Sequence, residues 1–390
     1  MVTNMTWTRR SFISAATASL AASLAATQLR AAAPSRAKFI FVGSTAKGEG
    51  EGIHGGTWNP ATGTISDLHL AFPCNQPSFM VACQSHGANL LFSGHQPKPD
   101  VAELSAFRIE ASGELKVINT LTLSDLEESL IQIVLDHTNR CLVSASYRSN
   151  KVFSFGVAAD GHLSGPVSHF ELSGHGPNPR RQTTAHAHGA SIPPDNRFAC
   201  INDLGSDRIM VYKMDPAKAE LTPNDPPFYT APPGSGPRHL AFHPNGKWAY
   251  CISELNSTIT FLKWNAKTGV LTAVESVSTL PPGADVSKNR AGEVIIDKTG
   301  RFLYACNRGP AEELLAYTIT SSGNLKLAGR TPLGGKEARH FALSPNGSFL
   351  VVAEQFTNAV SVFTRDRNTG TLTPTGNKYP VNKASCIVFA

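Results

Sequence analysis

"GPRHLAFHPNGKWAYCISELNSTITFL", residues 236–262, is echoed by "EARHFALSPNGSFLVVAEQFTNAVSVF", residues 337–363. In both, Arg-His opens an apolar run, Pro-Asn-Gly interrupts it, a second apolar run follows, and a Glu closes it. Runs such as "KWAYCIS" and "FLVVAE" are rich in aromatic and β-branched residues and too short for helices. An Asn-Gly between two such runs is a hairpin turn, because it supplies the backbone conformations that a tight antiparallel connection requires. Each copy therefore reads as strand, turn, strand. The Arg-His and the trailing Glu read as equivalent positions of a repeated scaffold.

Other copies extend the pattern over the chain. A short turn signal returns at Thr62-Gly63-Thr64-Ile65, Ser112-Gly113-Glu114-Leu115 and Asp160-Gly161-His162-Leu163. It continues at Glu220-Leu221, where the Gly is missing, then at Thr268-Gly269-Val270-Leu271, Ser322-Gly323-Asn324-Leu325 and Thr369-Gly370-Thr371-Leu372. Between these lie strand-turn-strand signals centred on His86-Gly87, Thr138-Asn139, Asp195-Asn196, Asn245-Gly246, Thr299-Gly300 and Asn346-Gly347. The units are all-β, with no sustained helical period after the first residues. Seven units of four antiparallel strands predict a seven-bladed β-propeller. The opening strand "AKFIFVGSTA", residues 37–46, and the closing "ASCIVFA" each lack a partner in sequence. Pairing these N- and C-terminal strands in one blade closes the ring and removes two exposed edges. Residues 34–390 are expected to form this one domain.

Residues 1–33 read differently. Arg9-Arg10, then Ser11-Phe12-Ile13, a small-residue apolar stretch and Ala31-Ala32-Ala33 have the form of a twin-arginine export signal. The expected partner is the twin-arginine export machinery, and the expected location is periplasmic or otherwise exported. The stretch is too rich in Ala and Ser for a span, so no membrane span is expected after signal removal. The chain carries 35 Lys and Arg against 29 Asp and Glu, and three of the arginines fall in this segment. So balanced a remainder, without a basic run, excludes a nucleic-acid partner. Seven cysteines without Cys-x-x-Cys spacing predict no disulfide framework. Cys200, Cys251 and Cys306 read as small core side chains.

The repeat also places side chains. Within a blade, the start of the first strand and the end of the second lie on one face of the disc, near the central channel. This gathers Arg238, His239 and Glu254 from one unit, and Arg339, His340 and Glu354 from another. His188 with Asp203, and Glu293 with Asn307 and Arg308, complete four consecutive units. His186 and His188 alternate along a strand as a metal pair would. No third ligand accompanies them, so no metal and no cofactor are expected.

These same residues carry a family resemblance. "GPRHLAFHPNGKWAYCISELNSTI" resembles the Pro-Arg-His…Pro-x-Gly…Tyr…Glu-Leu signature of the seven-bladed propeller lactonases, the propeller-type 6-phosphogluconolactonases. "AHAHGASIPPDNRFACINDLGSDRIMVY", residues 185–212, and "AGEVIIDKTGRFLYACNRG", residues 291–309, resemble two further segments of that family, and "FVGSTAKGEGEGI" its opening strand and loop. The match covers residues 38–390. It implies a propeller that hydrolyses a lactone ring without an obligatory metal, and it puts function on His186, His188, Asp203, Arg238, His239, Glu254, Glu293, Asn307 and Arg308. The early units depart from the family: Ser93-Gly94-His95 stands where the family has Asn-Glu, and Ser144-Ala145-Ser146-Tyr147 where it has Ala-Asn-Tyr.

Lactone hydrolysis needs a base for water, a cation or hydrogen-bond donor for the oxyanion, and an acid for the leaving alkoxide. Glu254 is the expected base and Glu293 the second candidate, with burial expected to raise the carboxylate pKa. Arg238 is expected to hold the oxyanion or an anionic substituent, Arg308 to act as a second clamp, and His188 or His186 to supply the proton. His239, Asp203, Asn307, Arg339 and His340 are expected to line the substrate site. No Gly-x-Ser-x-Gly elbow is present, which disfavours a serine esterase. The expected partner is a small-molecule lactone or a polyanionic substrate. A sugar lactone without phosphate suits an exported protein. The alternatives are a carboxymuconate-type cycloisomerase and a non-catalytic propeller that binds a ligand or a protein.

Overall fold

The computed structural model describes residues 38–390. The twin-arginine segment expected over residues 1–33 lies outside the described residues. The strands form seven four-stranded antiparallel sheets. Blade one combines the last strand, Ala384–Phe389, with Phe39–Ser44, Gly52–Asn59 and Thr64–Pro73. Blades two to seven follow in chain order, and their first strands are Phe79–Ser85, Gln132–Leu135, Ala187–Ser191, Pro237–Phe242, Arg290–Ile296 and Ala338–Leu343. These first strands lie against one another around a closed ring, so they line the axis. The expected closure is present: Ile40 pairs with Phe389 and Gly43 with Cys386, and the Lys38 and Phe39 N–H groups both donate to the Ala390 carbonyl at 3.0 Å.

Each junction between blades is sealed by its own apolar cluster. Leu90, Phe92 and Phe155 meet between blades two and three, and Tyr250, Phe261 and Leu303 between five and six. The cause is alternation: each sheet buries both faces against its neighbours, so successive side chains feed two different junctions. Two junctions share a wedge. Trp264 of blade five sits edge-on to Phe242 of its own blade and to Phe198 of blade four, both at 5.3 Å. Trp58 of blade one stands the same way between Phe389 and Phe349, at 5.1 and 5.7 Å.

The recurring glycine turn has two physical causes. Gly370 has φ 78°, and a Cβ there would lie 2.3 Å from Phe302 Cδ1 of the preceding blade. Tyr304 of that blade donates its hydroxyl to the Gly370 carbonyl at 2.9 Å, which locks the turn to its neighbour. Where the signal lacks its glycine, Ala219 takes the position with φ 55°. All seven cysteines are free, and Cys200, Cys251 and Cys306 are buried as expected. Among the described residues no helix is long and apolar enough to cross a membrane.

Candidate active site

The inner strands of blades four to seven each begin with a bulge. In blade five Pro237 pairs with Ser253 and His239 with Ile252, so Arg238 is passed over by the ladder. His188 and Arg339 are passed over in the same way in blades four and seven. In blade six both Gly292 and Glu293 are skipped. A bulge turns a side chain out of the alternating pattern, and here it aims His188, Arg238, Glu293 and Arg339 at the axis. Gly292 is required for space: a Cβ would lie 2.6 Å from Cys306 Sγ and 3.1 Å from Arg308 Nε.

Glu254 sits at the centre of the buried charges. Its Oε1 meets Arg181 Nη2 at 2.8 Å, and its Oε2 meets Arg308 Nη2 at 2.8 Å and Arg238 Nε at 3.2 Å. Arg308 extends the network to Glu337 at 2.9 Å, and Arg238 Nη1 donates to the Gly292 carbonyl at 2.7 Å. Burial would raise the Glu254 pKa, but Arg308, Arg181 and Arg238 outweigh it and hold the carboxyl well below its ordinary range. The expected upward shift is therefore reversed. Both carboxylate oxygens are engaged by guanidinium groups, which leaves Glu254 little capacity as a base.

A second buried pair lies beside it. His239 Nδ1 is 2.7 Å from Glu293 Oε1. Burial opposes the charge on both groups. Even so, His239 and its hydrogen bond bring Glu293 down to about 2, while His239, buried beside Arg238, falls to about 4 despite Glu293. Burial, with Arg238 and His239 nearby, takes His188 well below its ordinary value. Both imidazoles are thus neutral near pH 7. Their rings stand edge to face, 5.2 Å apart.

Arg339 differs from its neighbours. It is half-buried, and among the described residues it makes no ion pair and no hydrogen bond. Burial and the nearby Arg308 lower its pKa. Arg238, His239, Glu293 and Arg339 form one wall of an axial pocket of about 10 Å³ whose other wall is Ser78, Phe79, Ile131 and Ser385. That volume is about one water molecule. Half-buried groups surround this centre. Tyr147 stacks on His186 at 4.4 Å with 9° between planes, and its hydroxyl accepts from Arg181 Nη2 at 3.1 Å.

Some expected site residues face elsewhere, and the ladder register explains why. Glu254 lies sixteen residues after Arg238, but Glu354 only fifteen after Arg339. In a strand a one-residue difference reverses the facing. Ser253, not Glu254, occupies the position of Glu354, because Ser253 pairs with Pro237 as Glu354 pairs with Ala338. Glu354 accordingly points into its blade and meets Lys378 at 2.9 Å. Asp203 and Asn307 occupy that same register position, opposite Ala187 and Ala291. The Asp203 carboxylate accepts from the N–H groups of His186, Gly205 and Ser206 at 2.7, 3.0 and 3.2 Å, and from the Ser206 hydroxyl, so it caps a turn. Asn307 bonds Glu313 within its blade and Thr279 at the end of blade five. Neither lines the axial pocket. His340 is tied by its Nδ1 to the Ile387 N–H at 3.1 Å. Arg181, Tyr147 and Glu337 belong to the cluster although no sequence signal selected them. Glu337 opens the repeat at residues 337–363 and Tyr147 ends the segment that departs from the family, while Arg181 lies within the Gly- and Pro-bearing segment "SGHGPNPRRQ".

Comparison with known proteins fits this architecture. The model of the lactonase, 7-bladed beta-propeller family matches residues 39–389, and the chain belongs to that family. Among its relatives, 6-phosphogluconolactonase of Bacillus subtilis (strain 168) is 30% identical over 355 residues, 90% of this chain and 98% of that one. The 6-phosphogluconolactonase of Formosa agariphila is 32% identical, covering 89% and 98% of the two chains. Among solved structures, the periplasmic gluconolactonase of Pseudomonas aeruginosa superimposes with a TM-score of 0.81 at 30% identity, over 90% of this chain and 98% of that one.

Proposed function

We propose that the chain hydrolyses a sugar-type lactone at the arginine-lined end of its axial channel, by general acid–base activation of water. The observation that carries this reading is the water-sized pocket between the His239–Glu293 pair and the unpaired Arg339. Glu293 accepts the Nδ1 proton of His239, which leaves Nε2 as the basic nitrogen, with Arg238 Nη1 3.5 Å away. A water in the pocket gives its proton to that nitrogen and attacks the carbonyl carbon. The charge that develops on the carbonyl oxygen faces Arg339, whose guanidinium has no competing carboxylate. As the ring C–O bond breaks, His239 returns the proton to the alkoxide, with the His188 ring packed edge-on against it. Arg238 and Arg308 are held rigid by Glu254 and line the site with fixed positive potential.

The charge balance bears on the substrate. Glu254 and Glu337 between them hold Arg181, Arg238, Arg290 and Arg308, so positive charge is in excess here, and Arg339 is the arginine of the described cluster outside any ion pair. An arginine outside any ion pair suits a lactone carbonyl that becomes singly charged in the transition state. The export expected from Arg9-Arg10 favours a sugar lactone without phosphate over a phosphorylated one, and the Pseudomonas aeruginosa gluconolactonase is named as periplasmic. The test is pH-stat titration of the purified chain with δ-gluconolactone and with its 6-phosphate. We expect acceleration over spontaneous opening, greater for the unphosphorylated lactone. No acceleration over a panel of lactones refutes the reading. Ring closure of a carboxymuconate, followed as lost diene absorbance, would establish the cycloisomerase instead. Ligand-induced thermal stabilisation without turnover would establish a binding propeller.

A further inference from the structure

A second cavity lies at the opposite end of the inner strands from the arginine cluster, between blades six and seven. Its volume is about 850 Å³, within the range of small-molecule sites. It lacks the tryptophan wedge of two other junctions. Trp264, just after the Trp248–Lys263 pair of blade five, corresponds to Arg365, just after the Phe349–Thr364 pair of blade seven. By the same register Phe242 corresponds to Leu343. The aromatic wedge that fills two other junctions is thus replaced here by a thin guanidinium and a smaller aliphatic side chain. Arg365 keeps the blade-to-blade bond, meeting Asp297 at 2.8 Å much as the Trp264 indole donates to Asp195 at 2.9 Å. It does not replace the volume.

What surrounds this space has a definite chemistry. Ile295, Ile296 and Leu343 are half-exposed in its wall, while Lys298, Arg301 and Arg367 are exposed at its edge. Among the described residues none of these three cations has a carboxylate partner. Asp297, the one carboxylate in the lining, is already paired with Arg365. Uncompensated positive charge beside apolar surface in an open cleft of this size matches a small organic anion with an apolar body. A macromolecular partner would instead require a wide, flat face.

We propose that this cleft is a second ligand site, one that takes a small amphipathic anion. A carboxylate or sulfonate meets Lys298, Arg301 and Arg367, and the apolar body lies on Ile295, Ile296 and Leu343. The site is distinct from the pocket of the lactonase reading: its lining includes none of Arg238, His239, Glu293 and Arg339, and of the residues expected at the substrate site it includes only His340, whose Nδ1 is held by the Ile387 N–H.

The experiment is a fluorescence titration of the folded protein with 8-anilinonaphthalene-1-sulfonate, followed by displacement with decanoate. We expect saturable binding of one equivalent that decanoate competes away. Leu343→Phe introduces the aromatic residue of the two tryptophan-wedged junctions and should weaken binding about tenfold or more. The double variant Lys298→Glu, Arg367→Glu should do the same by charge reversal, without filling the cavity. Thermal melts of each variant establish that it is folded. If Leu343→Phe fails to fold, the charge reversal alone decides. Absent binding in the parent protein, unchanged affinity in a folded variant, or displacement by an acidic peptide but not by decanoate each overturns the proposal.

Discussion

Glu254→Gln separates two roles that one carboxylate could play in this site. The substitution removes one negative charge and leaves the shape nearly intact. Arg181 and Arg238 lose their carboxylate, and Arg308 keeps only Glu337. Removing one member of a buried ion cluster costs about 3–5 kcal/mol, because the remaining charges stay desolvated. Unfolding entropy of about 2.1 cal/mol/K per residue gives roughly 0.7 kcal/mol/K for a chain of this size, so the melting temperature should fall by roughly 4–7 °C. The folded pKa of Glu254 lies below its ordinary value of 4.5. Its stabilisation is therefore present above the unfolded pKa and lost as pH falls through the folded one. The gap between parent and variant should be full at neutral pH and narrow only on acidification below about 4.5.

Calorimetric melts from pH 3 to 7, combined with the pH dependence of kcat/KM, read both consequences. As an anchor for three guanidinium groups, Glu254→Gln lowers the melting temperature and reduces kcat/KM, but the acid limb of the rate profile survives. Glu254→Asp, which keeps the charge on a shorter stem, should fall between parent and variant on both measures. An unchanged melting temperature together with a vanished acid limb would refute this assignment and make Glu254 the base.

Arg339→Ala should lower kcat by about 10²–10³ if its guanidinium meets the oxyanion, while the melting temperature holds or rises because a desolvated, unpaired cation is removed; steady-state kinetics and melts decide. Glu293→Gln should reduce kcat more than KM, since His239 loses the acceptor that fixes its tautomer. Its folded pKa of about 2 lies below 4.5, so that carboxylate's stability contribution is present above pH 4.5 and fades toward pH 2, which acid titration of parent and variant measures. Asp203→Ala strips the cap from a turn and should cost about 1–3 kcal/mol in denaturant melts, with kcat/KM changed little once the protein is folded. Gly370→Ala combines a left-handed backbone with a Cβ 2.3 Å from Phe302, and should destabilise by about 2–4 kcal/mol in the same melts.

The blades were legible in the sequence because their signals are local. A turn needs Asn-Gly or a left-handed glycine within a few residues, and two short apolar runs flank it. Even the closure of the ring followed from a local deficit, since residues 37–46 and the last seven residues had no neighbour with which to pair. The Arg-His pairs were legible for the same reason: they open inner strands. The wedge break between blades six and seven is also written in the repeat, as Arg365 and Leu343 against Trp264 and Phe242, but its consequence is a volume, and volumes emerge only from packing.

The carboxylates were harder to place because their facing depends on a count, not a composition. Glu254 and Glu354 follow the same signals with the same residue type, yet one lies sixteen and the other fifteen residues beyond its arginine. Bulges at the inner strands bring Arg238 and Arg339 alike to the axis. The second strands carry no such correction, so the odd residue sends Glu354 to Lys378 and leaves Glu254 among the arginines. With Glu354 turned away and Glu293 held by His239, Arg339 is left without an ion-pair partner. A chain with Glu254 and Glu354 both facing inward would have neutralised the one cation that the proposed chemistry needs. The functional content of the repeat therefore lies in where its two copies fall out of register.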